Sequence, residues 1–285
     1  MVVTAQSLQP RRSVLFVSAV DTAAISQGLL SGADVLCLDM EDGVPLNKKE
    51  QAREVALQTV TAQNVAGGPQ LALRINCPRQ IEGMRDLLAI AGLSHDVHLL
   101  LPKIESEFDV LWVVDVMADA GRQPFLHCII ETGSALEHVH KIAQSSGNVL
   151  SLIFGGYDMS AALGVDMDWE PLLYARSRVV HAAASAGLDV WDAPHLDARS
   201  DDELRDTTDR SRRFGFTGRI CKSPAQIATI NQVFTPAIAS LERAAKIVAQ
   251  FEASPYSRLE VDGKVIESPA IRAMKRTLAA AGYSL

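Results

Sequence analysis

With 285 residues, 48% hydrophobic and 21% charged, the chain has the make-up of a globular protein with a large core, in the size range of a single α/β barrel. A formal net charge of −7 leaves no basic stripe to neutralise phosphates and argues against a nucleic-acid partner. No run reaches the ~18 apolar residues that a membrane span needs, and the N-terminus carries no apolar signal core, so no membrane association is expected.

Met1 to Pro10 has no periodicity and reads as a lead-in. A strand-then-helix pattern then repeats along the chain. Strand-like runs at 13–18, 35–41, 71–76, 98–103, 125–130, 150–154, 188–191 and 217–221 are each followed by a helical pattern, at 21–31, 47–60, 79–91, 106–120, 134–145, 172–186, 201–214 and 224–234. A longer excursion through Asp166 and Trp169 precedes the sixth helix. Alternation of this kind implies a parallel sheet, and eight units imply closure into a TIM-type (β/α)8 barrel over residues 11–234. The remainder, 235–285, reads as a C-terminal extension: a helix over 236–251, a hairpin signalled by Asp262-Gly263, and a last helix over 270–281. Four cysteines (Cys37, Cys77, Cys128, Cys221) form no CxxC pair, and three lie in apolar runs, so reduced thiols in a cytoplasmic protein are expected.

Chemistry in such a barrel gathers at the C-terminal strand ends, and six of the eight are charged. The second strand runs into Asp39, Glu41 and Asp42; the others end at Arg74 and Asn76, Lys103 and Glu105, Glu131, Asp158, and Asp192. Side chains alternate along a strand, so Asp39 and Glu41 share one face and Met40 and Asp42 the other. Three neighbouring carboxylates call for a metal, an arginine or a lysine to answer them; a solvated acidic loop is the plainer reading. A carboxylate-rich ring suits a hard divalent cation, and magnesium typically takes one or two protein carboxylates. Glu131 and Asp158, on successive strands, are the natural pair. Arg74 could grip a substrate carboxylate bidentately or neutralise Glu41 in a structural ion pair. Lys103 reads more simply as a surface residue. The seven histidines form no metal-spaced set, and none reads as a catalytic base.

The ordered set Arg12-Ser13-Val14-Leu15-Phe16-Val17, Leu38-Asp39-Met40-Glu41-Asp42, Arg74-Ile75-Asn76, Leu101-Pro102-Lys103-Ile104-Glu105, Ile130-Glu131-Thr132, Gly155-Gly156-Tyr157-Asp158 and Pro224-Ala225-Gln226-Ile227 resembles the citrate lyase β-subunit-like proteins, relatives of malyl-CoA and citramalyl-CoA lyases in the HpcH/HpaI aldolase family. The resemblance spans nearly the whole chain. It implies a magnesium-dependent carbon–carbon lyase that cleaves a 3-hydroxyacyl-CoA ester to acetyl-CoA and a 2-oxo acid, in a homotrimer or hexamer. It implies Glu131 and Asp158 as metal ligands, Arg74 on the substrate carboxylate, Glu41 and Asp42 supporting the metal, and Arg12 and Lys48 at the CoA phosphates. It also implies that the tail covers a neighbouring subunit's site and supplies an acid/base carboxylate, here Glu267. Three positions depart from the family pattern: Ser18-Ala19 for Pro-Gly, Ser223 for His, and Glu267 for Asp. A CoA-independent pyruvate-type aldolase and a non-catalytic CoA-ester-binding or citrate lyase complex subunit are the alternative readings.

Overall fold

Strict alternation of inward and outward side chains along eight short strands builds the barrel. In the computed structural model, which describes residues 10–62, 68–196, 200–256 and 258–281, the strands are β1 (Ser13–Ser18), β2 (Val35–Asp39), β3 (Gln70–Arg74), β4 (His98–Leu101), β5 (Phe125–Ile130), β6 (Val149–Phe154), β7 (Asp189–Asp192) and β8 (Gly218–Cys221). They pair in parallel in chain order, and β8 closes on β1 with Val14 opposite Ile220. Most of the lead-in read at Met1 to Pro10 lies outside the described residues. Every second residue points inward, and Val14, Phe16, Val35, Cys37, Ala72, Leu100, Ile129, Ile153, Trp191 and Ile220 fill the interior. This is the packed core that a barrel of this size requires.

Helices cover the outside because their apolar positions recur every three or four residues. In α5 (Gly133–Gln144) the buried residues are Ala135, Leu136, Val139, Ile142 and Ala143. The other covering helices are α1 (Thr22–Leu29), α2 (Lys49–Ala62), α3 (Ile81–Ala91), α4 (Glu107–Asp119), α7 (Leu173–Ala186), α8 (Asp201–Phe214) and α9 (Ile227–Phe234). One further helix, α6 (Gly156–Leu163), lies at the start of the longer excursion between β6 and α7, where the sequence pattern predicts no helix. Strand β2 stops at Asp39 rather than Glu41, because the Asp39 carboxylate accepts the N–H groups of Glu41 (2.9 Å) and Gly43 (3.1 Å) and folds the chain into a turn. Strand β4 stops at Leu101 rather than Lys103, since Lys103 adopts the left-handed conformation at φ 54°.

The chain divides into two compact units: Arg11–Gln232, and a second that contains the chain from Val233 onward. In the second unit α10 (Ile238–Ala253), the antiparallel hairpin β9 (Arg258–Val261) and β10 (Lys264–Glu267), and α11 (Ser268–Ala280) share their own apolar cluster of Leu241, Ile247, Val248, Ile271 and Leu278. The hairpin turn needs positive φ at both central residues, which Asp262 (51°) and Gly263 (73°) supply. All four cysteines are buried and free. Among the described residues no helix is long and apolar enough to cross a membrane.

Candidate active site

The inward positions that carry apolar side chains in mid-barrel carry charge at its C-terminal mouth. Asp39 follows Cys37 on the same face, Arg74 follows Ala72, and Glu131 follows Ile129. Asp39 and Arg74, paired across the β2–β3 register, make a bidentate contact: Nε donates to Oδ1 at 2.7 Å and Nη2 to Oδ2 at 2.6 Å. Arg74 Nη1 lies 2.8 Å from Glu41 Oε2. All three side chains are buried. Burial would raise the Asp39 carboxyl, but the Arg74 hydrogen bonds outweigh it and hold Asp39 below its ordinary value. Glu41 goes the other way, because burial dominates the attraction of Arg74. The structural ion pair weighed from the sequence is therefore formed, with Asp39 as the principal partner.

Lys103 is not a surface residue. Its ammonium hydrogen-bonds Asp158 and lies 3.4 Å from Asp42 Oδ2, 3.8 Å from Glu41 Oε1 and 3.9 Å from Glu131 Oε1. The strained backbone of Lys103, of a kind that costs roughly 1–3 kcal/mol and gathers at functional sites, also aims its N–H at Glu131 Oε1 (2.7 Å). Glu131 is held from the other side by the start of α5, where the Thr132 hydroxyl accepts the Ala135 N–H at 3.0 Å and donates to the Ile104 carbonyl at 3.2 Å. Gly155 leaves room for Glu131: a Cβ there would lie 2.4 Å from the Glu131 Cβ and 2.8 Å from its Oε2. Burial pushes the Glu131 carboxyl up to about 7 against the pull of Lys103. Burial lowers Lys103, but Asp158, Glu131 and Glu41 more than offset it and leave it above the ordinary lysine value.

Glu41, Asp42, Glu131 and Asp158 thus converge on one cationic locus, held now by an ammonium. Among the described residues no three His, Cys, Asp or Glu side chains are arranged to hold a metal ion as they stand; two carboxylates, here Glu131 and Asp158, are the number magnesium typically takes from a protein, with water and substrate completing its shell. Beside this locus lies a cavity of about 180 Å³, walled by Phe16, Ile129, Ile153, Phe154 and Ile220 and edged by Arg74, Glu131, Asp158 and Lys222. That is smaller than the roughly 300–1,000 Å³ of sites for drug-sized ligands. It suits a small acid.

Of the other residues expected at the site, Lys48 is exposed in the short turn that follows β2. Its neighbour Lys49 pins that turn by donating to the carbonyls of Met40 (2.8 Å) and Glu41 (2.6 Å). Arg12 is not brought to the ring. It precedes β1, and its Nε and Nη2 donate to Asp34, which precedes β2, at 2.8 Å each. Both therefore sit at the N-terminal mouth, opposite the carboxylates, and the role expected for Arg12 at the CoA phosphates has no support in this geometry. Glu267 is exposed at the end of β10, opposite Arg258 in the hairpin. Lys103 and Lys222 were missed as site residues. For Lys222 a signal existed, since it lies two residues beyond the inward-facing Ile220.

Comparison with known proteins adds an independent line. The family described as HpcH/HpaI aldolase/citrate lyase matches residues 12–224. The human mitochondrial citramalyl-CoA lyase is 30% identical over 292 residues, covering 94% of this chain and 85% of that protein. RipC from Yersinia pestis, a solved structure, is 36% identical with a TM-score of 0.71, over 82% of this chain and 99% of that one. The CitE protein of Mycobacterium tuberculosis, solved with magnesium, acetoacetate and coenzyme A, shares the fold at a TM-score of 0.78 and 24% identity, over 96% of this chain and 98% of that one.

Proposed function

The chain belongs to the HpcH/HpaI aldolase/citrate lyase family, and from that premise we propose that it is a magnesium-dependent carbon–carbon lyase that cleaves a 3-hydroxyacyl-CoA ester of the citramalyl-CoA or malyl-CoA type to acetyl-CoA and a 2-oxo acid. The observation that carries this reading is the convergence of Glu131 and Asp158 on one cationic locus beside a cavity sized for a small acid. Magnesium held by these two carboxylates would supply Lewis-acid polarisation of the substrate's hydroxyl and carboxylate oxygens. Glu41 and Asp42 stabilise positive charge at the same locus from the β2 turn. Arg74, fixed by Asp39, keeps a permanent positive edge on the cavity, and the apolar wall excludes water from the scissile bond.

In the reaction a base takes the hydroxyl proton, the oxygen's electron pair forms the ketone of the 2-oxo acid, and the C–C bond breaks. The bonding pair passes to the carbon alpha to the thioester, as the enolate of acetyl-CoA, and that carbon then takes a proton from a carboxylic acid. Glu267 is the residue we assign to that proton transfer, contributed across a homotrimer or hexamer by the exposed hairpin. Lys48, exposed beside the β2 turn, suits the phosphates of CoA. Four buried, free thiols suit a reducing cytoplasm.

The test is a mass-resolved assay of the full chain with (S)-citramalyl-CoA and (S)-malyl-CoA, with and without magnesium. Metal-dependent release of acetyl-CoA with pyruvate or glyoxylate is expected, and Glu131→Ala should abolish it. Cleavage of a free hydroxy-keto acid with no use of the CoA esters would favour the CoA-independent aldolase and sink the assignment.

A further inference from the structure

Parity along β8 brings one more residue into the mouth. Ile220 faces the barrel interior, and Lys222, two residues on, follows it on the same face and edges the cavity. Its ammonium stands 4.8 Å from the centre of the Phe16 ring. In the barrel order this is the side where β8 meets β1, across the mouth from Glu131 at the end of β5. The other two cations of the mouth are engaged: Arg74 by Asp39 and Glu41, and Lys103 by four carboxylates. Among the described residues Lys222 has no carboxylate within 4.0 Å and no hydrogen-bond acceptor for its three N–H donors. An anionic ligand entering a cavity edged by Asp42, Glu131 and Asp158 meets repulsion that magnesium at Glu131 and Asp158 would answer on one side and an ammonium without an ion-pair partner would answer on the other. An ammonium over an aromatic face is held in place by the ring while its charge stays available to a ligand.

We propose that Lys222 receives the free carboxylate of the 2-oxo-acid half of the substrate, and so sets which acids the enzyme accepts. The inference rests on the lyase reading above and deepens it. The cavity takes the small acid, Glu131 and Asp158 lie on one side of it, and Lys222 closes the other. The CoA half stays outside.

The experiment compares the full-length wild type with Lys222→Met and Lys222→Arg. Magnesium affinity is measured by calorimetry, folding by urea midpoint, and KM separately for the 2-oxo acid and for acetyl-CoA in the condensation direction. Loss of one charged contact should raise the Lys222→Met KM for the oxo acid by roughly tenfold to a hundredfold. KM for acetyl-CoA, magnesium affinity and the urea midpoint should stay within about twofold or unshifted, and Lys222→Arg should recover most of the loss. An unchanged oxo-acid KM, or equal rises in both KM values, would overturn the assignment of Lys222 and leave the lyase reading intact. A wild type inactive in both directions would overturn the lyase reading instead. Lys222 would then be judged on calorimetric binding of pyruvate in the presence of magnesium, and equal affinity in wild type and Lys222→Met would overturn it.

Discussion

Lys103 concentrates the conflict at the heart of the mouth. It spends a left-handed backbone conformation and a long side chain on answering the carboxylates to which magnesium is assigned in the proposed function. Removing one partner of a buried ion pair costs more than the pair is worth, because the other charge is left behind. Here Lys103 and Asp158 are partly open to water, which screens the loss. For Lys103→Met we therefore expect a metal-free protein about 1–2 kcal/mol less stable, a fall of roughly 2–8 °C in melting temperature for a chain of this size. Magnesium should offset the loss, since the variant keeps all four carboxylates and no longer has an ammonium competing for them. Melting curves in chelator and in millimolar magnesium check this. A variant whose melting temperature responds to magnesium no more than the wild type's would show that Lys103 and the metal do not share the locus.

At the scale of elements, the opposite end of the strands has its own polar layer. His98 opens β4, His127 lies on β5 and Ser151 on β6; His98 Nδ1 is 3.0 Å from His127 Nε2, and His127 Nδ1 is 2.7 Å from the Ser151 hydroxyl. His127 also stacks on Trp191, 4.8 Å between ring centres. Burial pushes His98 down to about 3 and His127 well below its ordinary value, so both are neutral in the folded barrel. Their contribution to stability is complete above the unfolded pKa near 6.5. It is lost as the pH falls from there toward about 3, because only the unfolded chain takes up the protons. His127→Gln keeps hydrogen-bonding capacity and removes one titration. Urea unfolding of both proteins should show the wild type losing about 1.4 kcal/mol more per pH unit below roughly pH 6; parallel curves would mean His127 is charged in the fold. These strands also show what was legible beforehand. Eight apolar runs with helices between them sufficed for the barrel, and the strand-end rule sufficed to place Glu131 and Asp158 at its C-terminal mouth. The α6 segment escaped because it is short and follows Gly155-Gly156, which reads as a turn. Lys103 escaped because a lysine at a strand end is indistinguishable in sequence from a solvated one until its neighbours are in space. Arg12 precedes its strand, and in a parallel barrel that places it at the mouth opposite the carboxylates.

For the whole molecule, the decisive division is between a barrel that closes on itself and a tail that does not contribute to the closure. The sheet is complete once β8 pairs with β1, and among the described residues no strand of the tail enters it. The tail in turn buries Leu241, Val248, Ile271 and Leu278 in a cluster of its own. Such an arrangement lets metal binding and proton transfer reside in different parts of one chain, which is what the assignment of Glu267 requires. General acid–base catalysis contributes roughly 10²–10⁴ in rate, so Glu267→Gln should slow turnover by a factor in that range. It should leave the magnesium-dependent rise in melting temperature untouched, because Glu131 and Asp158 belong to the barrel unit. Glu267→Asp, one methylene shorter, should retain part of the rate if the carboxyl is the working group. The measurement is kcat beside the magnesium shift in melting temperature for the three proteins. A Glu267→Gln enzyme at full rate would remove the residue from the mechanism. A parallel loss of rate and metal response would instead mean that the tail supports the metal site itself, and the division of labour between the two units would fail with it.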